Sequence, residues 1–114
     1  MGRYTAEDAL REMDELRGKL LSRVERLVEK RDADGLARIL VALNLEVERI
    51  ESEARRLRLK GELDVEVYRT LISGYTKLAD SIWQYATKNG LGEDVRLLYI
   101  MHLDAVYHSR RSRR

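Results

Sequence analysis

The chain contains no cysteine, no proline and no phenylalanine. Without cysteine there is no disulfide framework, no thiolate nucleophile and no cysteine-ligated zinc site. Secreted domains of this size usually depend on disulfide staples, so the expected compartment is the cytoplasm. Side-chain amides are almost missing as well: Asn44, Gln84 and Asn89 are the whole set. Charges of both signs are dense and interleaved, and together with the scarcity of amides this points to a thermophilic setting. No apolar run is long enough to cross a bilayer, the longest being residues 97–103, which also include His102. The first fifteen residues read as a polar-capped helix rather than a signal peptide.

What is present fits one soluble helical domain. At 114 residues, 44% hydrophobic and 37% charged, the chain is long enough and apolar enough to bury a core. The net charge of +2 is unevenly placed, because Arg110, Arg111, Arg113 and Arg114 fall in the last five residues. Removing these four from 22 basic side chains leaves 18 against 20 acidic, so the basic isoelectric point belongs to the end of the chain.

Helical periodicity dominates throughout. Thr5 followed by Asp8 suggests a capping box, after which Ala9, Met13, Leu16, Leu20, Val24 and Leu27 recur at steps of three and four. The segment 32–35 (Asp-Ala-Asp-Gly) breaks that pattern, with Asp34 as the expected cap of a second helix. In the second helix Leu36, Leu40, Leu43, Val47, Ile50, Ala54 and Leu57 form a strict heptad seam, stopped by Gly61. A third helix opens at Asp64 and carries Val65, Tyr68, Ile72, Tyr75, Ala79, Ile82 and Ala86, with a flanking column of Leu71, Leu78 and Tyr85. Asn89 and Gly90 close it, and a fourth begins near Gly92. The expected fold is an all-α, up-down antiparallel bundle of three long helices plus a shorter fourth. Residues 1–108 form the bundle domain and 109–114 an arginine-rich, disordered tail. In that arrangement the basic end of the second helix (Arg55, Arg56, Arg58) lies near the acidic start of the first.

The fourth helix is apolar nearly all round between 97 and 103, so every side is expected to be covered, by its own bundle or by a neighbouring subunit. Leu97, Ile100, Met101 and Leu103, with Trp83 lying off the third helix's seam, are the candidate interface. Gly18 and Gly74 stand inside helices, which close helix approach or plain surface tolerance would explain equally.

Candidate ligand-binding residues are basic. Arg17, Lys19, Arg23, Arg26, Lys30 and Arg31 populate the second half of the first helix, with Arg38 across the loop. They make a phosphate-binding face, or an ordinary surface paired with Glu25 and Glu29 at helical spacing. Arg110, Arg111, Arg113 and Arg114 form either a polyanion-binding tail or a solubilising terminus. Trp83, Tyr85 and Tyr4 offer aromatic surfaces for stacking bases. No metal site or cofactor is expected: Asp104 and His108 share a helix face, but His102 does not join them.

Arg96 and His102, with five residues between them, resemble the R-x(4–6)-H ribonuclease signature of HEPN domains, which are also helical bundles of about this size. The resemblance covers two residues. It implies an RNA-cleaving or toxin function exerted through that pair. Leu97 departs from the pattern, since a polar residue commonly follows the family's arginine. Six residues of straight helix also set two side chains about 120° apart, on different faces. The other reading of His102 is a core histidine bonded to a tyrosine or a backbone carbonyl.

The leading expectation is a non-enzymatic helical subunit that self-associates or docks into a larger assembly and binds nucleic acid, DNA or RNA, through its basic surface and tail. The alternatives are the HEPN-like ribonuclease and a pure protein-interaction module.

Overall fold

A computed structural model describes residues 3–112. Four helices account for nearly all of it: α1 (Ala6–Glu29), α2 (Ala33–Leu59), α3 (Val65–Lys88) and α4 (Gly92–Ser112). There is no strand among the described residues. No helix there is long and apolar enough to cross a membrane.

The local signals act largely as the sequence implies. Thr5 caps α1 in a reciprocal box, its hydroxyl accepting from the Asp8 amide and the Asp8 carboxylate accepting from the Thr5 amide at 2.9 Å. Asp64 caps α3 by accepting from the Val67 amide. The cap of α2 is Asp32, not Asp34: its carboxylate accepts from the Gly35 amide at 2.8 Å. The second helix starts two residues earlier than the pattern suggests because Arg31 adopts a left-handed conformation, with φ of 54°.

All three links between helices use one device. The Asp32 amide reaches back to the Leu27 carbonyl and the Arg31 amide to that of Val28; Glu62 and Gly61, then Leu91 and Gly90, repeat both bonds at the next two links. This is the Schellman closure, which needs a left-handed residue at its corner. Gly61 and Gly90 supply it without strain, with φ of 72° and 76°. Arg31 supplies it at a cost, and its guanidinium Nη1 donates to the Asn89 carbonyl at the end of α3.

The core gathers where the second half of α1, the first half of α2, the second half of α3 and the start of α4 meet. Val24, Leu36, Leu40, Leu78, Ile82 and Val95 are fully buried there. α2 packs on both α3 and α4, whereas α1 lies mainly on α3. Consequently the arginines ending α2 form no ion pair with the acids of α1 among the described residues; Arg55 donates to Ser52 instead. The molecule is flattened, 45 × 37 × 20 Å, with a radius of gyration of 16.0 Å. A compact chain of this length would have about 13 Å. The shortest dimension is about two helix diameters.

α4 continues through Ser112, past the point after Tyr107 where the sequence suggests fraying. Residues 109–112 are therefore helical, and Arg113 and Arg114 lie outside the described residues. Contacts at Tyr107 and Arg110, described below, hold this last turn.

The two mid-helix glycines differ. A Cβ added at Gly74 would meet the Met13 side chain at 2.7 Å, so α1 and α3 approach closely there. At Gly18 nothing lies within 4 Å. Gly18→Ala is therefore expected to raise stability by about 1 kcal/mol from helix propensity alone. Gly74→Leu should lower it by about 1–3 kcal/mol by overpacking. Paired urea denaturation curves check both, and equal effects at the two sites would refute the distinction.

Candidate nucleic-acid interface and docking face

The basic residues of α1 separate into two groups. Lys19, Arg23, Arg26 and Lys30 follow steps of four, three and four, which places them on one exposed face. The stripe is about 16 Å long at 1.5 Å per residue. Ion pairs occur elsewhere in the chain, as in Arg11 with Asp8, Arg49 with Glu46 and Glu53, and Arg69 with Glu66. Among the described residues none involves the four cations of the stripe, nor Glu25 or Glu29. The intrahelical pairing that helical spacing permits does not form.

The other candidate cations are dispersed. Arg17 lines a cleft between α1 and α3 together with Leu10, Met13 and Gly74. Arg31 is held at the end of α3. Arg38 pairs with Asp34 at 2.7 Å, and Arg110 with Glu48 at 3.2 Å. Arg111 is exposed on the last turn of α4.

Asp34 and Glu48 are residues that periodicity alone does not single out, yet they fasten α4 to α2. Because Asp32 takes the capping role, the Asp34 side chain is free to accept from Arg38 and to meet His102 Nε2 at 2.6 Å. Two heptads further on, Glu48 accepts from the Tyr107 hydroxyl and from Arg110. The Arg110 guanidinium also lies 5.8 Å from the centre of the Tyr107 ring. One signal was available: Asp34, Arg38, Val41, Leu45 and Glu48 form a second seam on α2 in steps of four and three, apolar in the middle and charged at both ends.

His102 is half-buried, and its partner is a carboxylate of another helix, not a tyrosine or a backbone carbonyl. Arg96 is exposed and does not line the groove that contains His102. No group of three or more potential metal ligands occurs among the described residues.

Fastened in this way, α4 turns Val95, Leu98, Tyr99 and His102 inward. Leu97, Ile100 and Met101 face solvent, at 61%, 53% and 57% exposure. The helix lies at the edge of the bundle, and the described residues leave its outer face uncovered. Leaving three large apolar side chains half in water forgoes on the order of 1 kcal/mol each. Trp83 and Leu103 are half-buried, with Trp83 packed edge-on against Tyr99 at 5.3 Å. Beside the exposed face runs a groove of about 560 Å³ between α2 and α4, floored by Val41, Ala42, Leu45, Ala105 and Val106 and flanked by Arg38 and Arg110.

Comparison of the chain with known families, with characterised proteins and with solved structures finds no match.

The hydrogen bonds from Arg38 and then His102 hold the Asp34 carboxyl below its ordinary value of 3.8. A carboxylate whose folded pKa is depressed adds stability above its unfolded pKa and loses it as pH falls through the folded value. Asp34→Asn should therefore lower the melting temperature at pH 6, and its difference from wild type should shrink once the pH is below 3.8. Melting curves across pH check this; a difference that does not change with pH would rule out the ionic link.

Proposed function

We propose that this protein is a non-enzymatic helical subunit that docks into an assembly through the outer face of α4 and binds nucleic acid through the basic stripe of α1. The finer topology in this reading is an up-down bundle. It is supported by α2–α3 contacts that run in opposite directions, Tyr68 meeting Glu53 while Trp83 shares a cleft with Leu40. The observation that carries the nucleic-acid reading is the row Lys19, Arg23, Arg26 and Lys30, four cations on one face without an internal counter-charge. Ion pairs engage Arg11, Arg38, Arg49, Arg69 and Arg110; the α1 row takes no part in them, and its alignment on one exposed face makes it available to phosphate. Arg111, exposed on the last turn of α4, is a further cation available to a polyanion, and a thermophilic, cytoplasmic protein is part of the same reading.

Phosphate contacts of this kind carry little sequence information. They make affinity steeply dependent on salt, with a log–log slope of about −0.9 per neutralised phosphate on duplex DNA. If all four cations make contact, the α1 stripe contributes about −3.6 to the slope. Arg23→Gln with Arg26→Gln should make the total slope shallower by about 1.8 and leave the helical circular dichroism unchanged. Fluorescence anisotropy with duplex and single-stranded DNA and RNA across a salt series measures this. Binding that is absent, or insensitive to both substitutions, would leave a pure protein-interaction module. Cleavage of the RNA that is lost in His102→Ala would instead favour the ribonuclease reading.

A further inference from the structure

The outer ridge of α4 is complementary to itself. Residues four apart on a helix form a continuous ridge. On α4 the ridge reads Glu93, Leu97, Met101, Ala105, Ser109, and all five are exposed. One end is acidic, the next two side chains are large and apolar, and the last two are small. Ala105 and Ser109 are also the α4 side of the groove against Val41, Ala42 and Leu45, with Arg110 at the Ser109 end. The chain thus carries a protruding apolar half-ridge beside a shallow apolar trough of its own.

We infer that the partner of this face is a second copy of the chain, with the two α4 helices antiparallel about a twofold axis between Met101 and Ala105. This rests on the reading of α4's outer face as a docking surface. A twofold contact uses the same patch on both copies, so a patch that offers both bump and hollow satisfies it. Antiparallel pairing sets Met101 over the partner's Ala105 and Leu97 over the partner's Ser109, large upon small at each position. It brings Glu93 and Asp94 to within one turn of Arg111 near the end of the partner's α4. Parallel pairing would set Leu97 on Leu97 and Glu93 on Glu93, which is poor in both shape and charge.

The test is sedimentation equilibrium of the full chain over a wide concentration range, using Met101→Ala, Ala105→Met and the combined exchange. All substituted positions are exposed in the monomer, and circular dichroism confirms that each variant is folded. The wild type is expected to dimerise. Each single variant should weaken the dimer by about tenfold or more, the first leaving a cavity and the second forcing methionine on methionine. The exchange places large on small again and should recover affinity to within about threefold. A wild type that stays monomeric overturns the inference; if it still binds nucleic acid through α1, that part of the proposed function stands. A dimer indifferent to all three variants uses another face, which overturns this contact while leaving assembly intact. Single variants that weaken the dimer without recovery in the exchange overturn the antiparallel register.

Discussion

The attachment of α4 to α2 sets the character of the whole surface. Two carboxylates on one side of α2, Asp34 and Glu48, hold His102 at one point and Tyr107 with Arg110 at another. Two fixed points on a helix determine its rotation about its own axis. With His102 and Val106 turned toward α2 and Val95 in the core, Leu97, Ile100 and Met101 point away from the protein. An apolar helix that would otherwise be expected to bury itself on all sides is held at the edge with one side open. The same contacts extend the helix to Ser112, so described arginines at the end of the chain stand on an ordered helical turn.

The flattened shape follows from the same arrangement. α2 lies against two helices while α1 leans mainly on α3, so α1 and α4 occupy the margins and not the centre. Each margin then carries a different chemistry. The α1 margin shows a row of unpaired cations, and the α4 margin shows apolar side chains beside a groove. In the proposed assembly the two are used separately: α4 joins copies and α1 is left open to phosphate. Joining copies would also double the number of basic stripes on one particle, which raises effective affinity for a long polyanion without any new contact.

Much of the fold was legible in the sequence because helix boundaries depend on local chemistry. Thr5 with Asp8, Asp64, Gly61 and Gly90 mark ends that the backbone confirms. The cap of α2 was misplaced by two residues because Arg31 takes the left-handed corner position, a conformation that a residue's identity signals only when it is glycine or asparagine. The tail was read as disordered from its composition; Glu48, sixty-two residues away in sequence, holds Arg110 and could not have been inferred from local pattern. The candidate surface was partly legible. Leu97, Ile100 and Met101 were singled out by their all-round apolar context, but Trp83 and Leu103 were not separable from them without knowing α4's rotation. Likewise, spacing showed that Lys19, Arg23, Arg26 and Lys30 share a face, but not that Glu25 and Glu29 leave them unpaired. The small residues Ala105 and Ser109 carried no signal by themselves and acquire meaning only beside the large ones one and two turns earlier.

The most direct test of the account is methyl NMR of the chain as a function of its own concentration. The methyls of Leu97, Met101 and Ala105 should shift progressively as copies associate, while those of Val24, Leu36 and Ile82 stay fixed. Movement of the interior methyls without the α4 ridge, or no movement at any concentration, would contradict the claim that this exposed ridge is where the protein meets another copy of itself.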